Sequence, residues 1–158
     1  MARRVFFSFH FERDIFRVNQ VRNSNVVHGV ERAGFFDQSE YEEAKRKGQS
    51  TIDKMIRDKL TGTTVTVVLI GAETAQRPWV KREIELSLAQ RNGLLGIHIH
   101  HLDPVKKGQP KVDPRGPAPN VPADVLFPTY DWDGDVKRFA TAIEAAGKRA
   151  DAWRDSKS

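Results

Sequence analysis

The stretch TTVTVVLIG, Thr63–Gly71, decides the fold class. It is a nearly unbroken β-branched and aliphatic run closed by glycine, without the polar alternation of a half-exposed strand. A strand buried on both faces is implied, and such strands belong to parallel sheets covered by helices. The next stretch, RPWVKREIELSLAQR (Arg77–Arg91), reads as a helix. Pro78 suits a first helical position, the helix runs to about Asn92, and Gly93 is its expected stop signal. LLGIHIHH (Leu94–His101) then reads as another strand.

Working outward, VFFSF (Val5–Phe9) is a short aromatic and β-branched strand. Ile15, Phe16, Val18 and Val21 give a helical pattern that fades into the turn cluster Asn23-Ser24-Asn25. Val26–Val30 is a candidate second strand. Ser39 heads SEYE, a capping-box pattern with Glu42, and an amphipathic helix is expected from there to Leu60, divided at Gly48. Its apolar stripe is Ile52, Met55, Ile56 and Leu60. Towards the C-terminus, Asp103–Pro122 holds six of the eight prolines and reads as an ordered excursion. Val125–Tyr130 is a candidate last strand, and Asp133-Gly134-Asp135 opens a final helix from about residue 134. Strands alternating with helices predict an α/β fold, flavodoxin-like, with a mostly parallel central sheet and helices on both faces. Ligands of such sheets gather beyond the carboxyl ends of the strands, here Ser8–His10, Gly71–Ala75 and His101–Asp103.

The 158 residues are one domain's worth, so a single domain over 1–158 is expected, acting through a diffusing product or a docked partner. With no cysteines, disulfides, thiol nucleophiles and thiolate metal sites are excluded. No apolar run approaches the roughly 18 residues that span a bilayer, and charges interrupt the N-terminal apolar stretch too early for a signal peptide. The expectation is a cytoplasmic protein with no membrane partner. Lys+Arg 26 against Asp+Glu 21 gives a net charge of +5. Those charges are interspersed, as in EEAKRK (Glu42–Lys47), the pattern of a solvated helix face. No basic block is interleaved with aromatics, so no nucleic-acid partner is expected.

On the helix after Pro78, Val80, Ile84 and Ser87 share one face. At about 100° per residue, Glu83 lies roughly 60° from Val80 and Glu85 roughly 140° away. Glu83 is therefore directed along the apolar face and Glu85 outward beside Lys81. A carboxylate on a buried face requires a partner or a use. Spacing alone favours a salt bridge to a nearby arginine over catalysis, without excluding the latter. His98 and His100 share a strand face with His101 opposite, and no carboxylate is placed beside them, so no metal site is expected. Asp131, Asp133 and Asp135 lack the glycine and glutamate of a calcium loop. Phosphate-loop and nucleophile-elbow patterns are absent, and the strand ending Leu69-Ile70-Gly71 has no phosphoreceiver aspartate.

VFFSFHFERD (Val5–Asp14), TVTVVLIGAETAQRPWVKREIELSL (Thr64–Leu88) and the helix between them resemble a bacterial TIR-like domain, of the kind found in the Thoeris anti-phage defence system. The resemblance covers about Arg4–Asp103, and its most specific element is W-V-x-x-E-I, Trp79–Ile84. It implies that Glu83 is catalytic and that NAD+ is cleaved at the nicotinamide–ribose bond. No separate cofactor is needed, because NAD+ is the substrate. The ADP-ribose product, linear or cyclic, would reach a separate effector, and self-association is expected. One carboxylate suits this chemistry, because the ribose becomes oxocarbenium-like as nicotinamide leaves. Trp79 or Phe9 is a candidate to stack on a flat ring. Ser8, His10, Asp14 and Asn19 are candidates for contacts to ribose or pyrophosphate, each balanced against a role in loop or helix capping. Two other classes stay open: a non-catalytic TIR-like assembly module, and a nucleoside deoxyribosyltransferase-like enzyme.

Overall fold

The computed structural model describes residues 3–23, 30–34, 38–104, 108 and 111–156. In chain order these form β1 (Arg3–Phe9), α1 (Phe11–Arg22), β2 (Val30–Gly34), α2 (Gln38–Lys45), α3 (Gln49–Leu60) and β3 (Val65–Ile70). A single 3₁₀ turn (Thr74–Gln76) follows, then α4 (Pro78–Ala89), β4 (Gly93–His98), β5 (Thr129–Asp131) and α5 (Val136–Asp155). The strands make one sheet in the order β2-β1-β3-β4-β5, and every pairing is parallel. Every residue of β3 and β4 is buried, as their continuous apolar runs require. The mostly parallel α/β expectation is met, and with right-handed crossovers α1 and α4 lie on opposite faces.

From β1 the chain steps outward through α1 to β2, then returns past β1 to β3 and moves the other way. The order therefore reverses between β1 and β3, which makes their carboxyl ends, where Phe9 pairs with Leu69, the topological switch point of the sheet. That reversal makes the Ser8–His10 end of β1 and the Gly71 end of β3 neighbours.

Several boundaries differ from the sequence expectation. β2 begins at Val30 rather than ending there, and 26–29 lie outside the described residues. As an edge strand with the sequence VERAG, it is held by backbone pairing to β1 and carries the charges typical of edges. Ser39 is the second residue of α2 rather than the residue preceding it, and Gly48 does separate α2 from α3. Gly93 is the first residue of β4, not a helix stop; Arg91 makes the left-handed turn instead, at φ 63°. β4 ends at His98, leaving His100 and His101 in the turn beyond it. Val125 and Phe127 are not in a strand. They pack from a loop onto Val68, Ile70, Val80, Ile84 and Leu94, and the short β5 follows. Among the described residues, 103–122 contain no helix or strand. Asp135 caps α5, accepting the Arg138 backbone N–H at 3.0 Å.

Candidate active site

The loop leaving β3 is built around missing Cβ space. A Cβ on Gly71 would lie 2.2 Å from an Asp14 carboxylate oxygen. The Gly71 N–H donates to Thr74 Oγ1 at 2.7 Å, and that hydroxyl donates to Asp14 Oδ2 at 3.4 Å. This turn delivers the chain to Pro78, the first residue of α4.

α4 is then clamped from two sides. On one flank Arg82 grips Asp53 of α3 with two bonds of 2.9 and 2.7 Å. That pairing holds the Asp53 carboxyl well below the ordinary range. On the buried face Thr66 Oγ1 donates to Ser87 Oγ at 2.7 Å, and Asn92 Nδ2 donates to Thr66 Oγ1 and Thr63 Oγ1. A helix pinned this way fixes the direction of Glu83.

Glu83 is 2% exposed, while Glu85 is exposed and pairs with Arg82 at 3.6 Å. The helical angles thus separate the two carboxylates correctly. The salt bridge that spacing favoured for Glu83 is not there: among the described residues it forms no ion pair. Instead Ser8 Oγ donates to Glu83 Oε1 at 2.7 Å, and the Trp79 side chain donates as well. Burial raises the Glu83 carboxyl to about 8, against the lowering effect of those two bonds. A desolvated carboxyl served by neutral donors and no cation ionises more readily when a positive group comes near.

The other candidates divide. Ser8 and Trp79 converge on Glu83. Phe9 stacks on Phe11 with ring centroids 5.9 Å apart at the end of β1. His10 is buried in the position preceding α1; its Nδ1 has no hydrogen-bond partner, and burial lowers its pKa. Asp14 is fully buried, bonded to Thr74 and 3.6 Å from Arg17. Its carboxyl is raised to about 6 by burial, with Arg17 opposing. Asn19 accepts from Arg22 at 3.2 Å, a bond within its own helix.

One buried assembly escapes sequence reading. Asp113, within the proline-rich stretch, accepts two bonds from Arg13 at 2.9 and 3.0 Å and one from Arg17 at 2.9 Å. Arg17 is 1% exposed and also donates to the Leu102 carbonyl. The i, i+4 spacing of Arg13 and Arg17 is the one local signal for this assembly, and nothing in the sequence around Asp113 marks it as their acid.

A parallel sheet ordered 2-1-3-4-5, with a buried W-V-x-x-E-I glutamate on the helix after β3, defines a TIR-like domain. The family description "Thoeris protein ThsB, TIR-like domain" matches residues 6–104, and the chain belongs to that family. A Bacillus cereus (strain MSX-D12) protein named "Putative cyclic ADP-D-ribose synthase ThsB1" is 41% identical over 136 residues, covering 85% of this chain and 68% of its own length.

Proposed function

We propose that this chain cleaves NAD+ at the nicotinamide–ribose bond and converts the ADP-ribose part into a cyclic nucleotide signal for anti-phage defence. The observation that carries the reading is Glu83, buried at the switch point without a cation and held by Ser8 and Trp79. The name of the Bacillus cereus relative supports the cyclic product.

In this mechanism the bond from ribose C1′ to the pyridinium nitrogen breaks and its electron pair leaves with neutral nicotinamide. Positive charge develops on the ribose, and the Glu83 carboxylate stabilises it in a low-dielectric site. With its carboxyl near 8, Glu83 is largely protonated in the empty site at neutral pH. The cationic nicotinamide ring favours the carboxylate, so binding NAD+ expels that proton. The oxocarbenium is then captured by a nucleophilic group of the same ADP-ribose, which closes the ring, or by water, which gives the linear product.

Ser8 and Trp79 act as positioning residues through Glu83. Phe9 and His10, at the carboxyl end of β1, face the substrate. Asp14 shapes the β3–α4 loop from beneath, and Asn19 is the outermost candidate. The product acts on a separate effector, and copies of the chain associate to work.

Incubating the protein with NAD+ and resolving products by mass spectrometry tests this. Wild type and Glu85→Gln should release nicotinamide, and Glu83→Gln should lose at least 100-fold of the rate, on the order of 3 kcal/mol of transition-state stabilisation. Equal turnover by wild type and Glu83→Gln rejects the reading. Self-association without turnover at high protein concentration points to an assembly module, and turnover of deoxynucleosides instead points to a deoxyribosyltransferase.

A further inference from the structure

The turn after β4 gathers a group of side chains that the NAD+ reading does not use. The parallel register of β4 and β5 sets His98 opposite Asp131. Because the strand stops at His98, His100 and His101 leave the alternation of a strand and fold towards the same carboxylate. His100, His101 and Asp131 each present one ligand atom within 4.8 Å of the others. The carboxylate that HIHH lacks in sequence is supplied by the next strand.

The protonation of this cluster follows from its bonds. His101 Nε2 lies 2.7 Å from the Trp132 carbonyl oxygen. A carbonyl only accepts, so Nε2 carries the hydrogen and, in the neutral ring, Nδ1 carries a lone pair. That Nδ1 is buried with no hydrogen-bond partner, and so are Nδ1 of His100 and of His98. Three buried imidazole nitrogens left unsatisfied around one carboxylate are a costly arrangement, about 1–3 kcal/mol for each such group. A ring nitrogen fixed by a backbone carbonyl, with the other nitrogen free, is how proteins orient a metal-ligating histidine. Arg115 pairs with Asp131 from the solvent side, both side chains being about half exposed. It supplies positive charge to the carboxylate and is free to swing away.

We propose that His100, His101 and Asp131 form a three-ligand site for a divalent transition ion of the zinc class, with water or His98 completing the shell. Two imidazoles and a carboxylate suit Zn2+, Co2+ or Ni2+ rather than Mg2+ or Ca2+. Bonds of about 2.0–2.1 Å place tetrahedral donors about 3.3 Å apart, so ligand atoms now within 4.8 Å of one another draw together by up to about 1.5 Å on binding. Such an ion would tie the edge strand β5, and the entry to α5, to the end of β4.

Untagged, chelator-treated full-length protein should be titrated with Zn2+ by calorimetry and with Co2+ by visible absorption, with Tm followed alongside. One equivalent should bind with micromolar affinity or better, Co2+ should develop bands of a nitrogen–oxygen site, and Tm should rise with metal concentration. His101→Ala and the near-isosteric Asp131→Asn should weaken binding at least 10-fold. Arg115→Ala leaves all three ligands in place and removes a competing cation, so it should tighten binding several-fold. Absence of binding in both wild type and Arg115→Ala overturns the proposal, as does affinity unchanged in His101→Ala and Asp131→Asn.

Discussion

At the scale of the residue, the proposed chemistry turns on a carboxyl that has hydrogen-bond donors but no cation beside it among the described residues. Glu83 sits near 8 because burial outweighs Ser8 and Trp79. On the free enzyme, kcat/KM for NAD+ should therefore climb between about pH 6 and 9, whereas kcat should level off at lower pH because the bound pyridinium favours the carboxylate. Removing a donor pushes the carboxyl further up. Ser8→Ala should shift the kcat/KM profile to higher pH and recover part of its loss in alkaline buffer, which a merely structural defect does not do. The same carboxyl makes a stability statement. Its folded pKa lies above the ordinary 4.5, so the folded state holds a proton that the unfolded chain has lost between those values. Stability falls as pH rises through that window. Glu83→Gln should thus fold more stably than wild type at pH 8, by on the order of 4 kcal/mol, and match it near pH 4.5, as read from urea midpoints at both pH values.

At the scale of the element, β3 and α4 were legible because their signals are local: an unbroken apolar run, a proline at a helix start, and a 100° rotation per residue that turns Glu83 inward. The short edge strands were misplaced because three to five residues held by backbone pairing leave little periodicity to read. Gly93 shows how a local signal is overridden. It looked like a helix stop, but its need for a bare backbone comes from α5, since a Cβ there would lie 2.0 Å from the Ala146 carbonyl oxygen. Gly93→Ala should destabilise by roughly 1–3 kcal/mol, because the obstacle is backbone that no rotamer change relieves. Ala146→Gly in the same chain should not restore the urea midpoint. Asp135→Ala should cost about 1 kcal/mol through the lost cap of α5, with little change in nicotinamide release.

At the scale of the whole molecule, the Asp113 carboxylate fastens the proline-rich stretch to α1. Burial acts to raise the Asp113 carboxyl, yet the bonds from Arg13 and Arg17 outweigh it and hold the group below the ordinary range. The stability it contributes is present above the ordinary carboxyl pKa and is lost as pH falls through the lowered one. Asp113→Ala takes the nearer acid from the buried Arg17 guanidinium, which keeps the Leu102 carbonyl and Asp14, and a loss of about 2–3 kcal/mol is expected. Limited proteolysis should then cut the 103–122 stretch first, and the variant's acid-side stability slope should flatten. Among the described residues no helix is long and apolar enough to cross a membrane. The sequence by itself determined the α/β class, the buried central strands and the inward turn of Glu83, since hydrophobic period and helical rotation act over a few neighbouring residues. Only the tertiary structure decided that Ser8 and Trp79, not an arginine, serve Glu83, that Asp113 closes on Arg13 and Arg17, and that Asp131 joins the histidines. Apart from Trp79, one helical turn before Glu83, those partners are far apart along the chain, and it is parallel pairing and loop packing that bring the buried polar groups together.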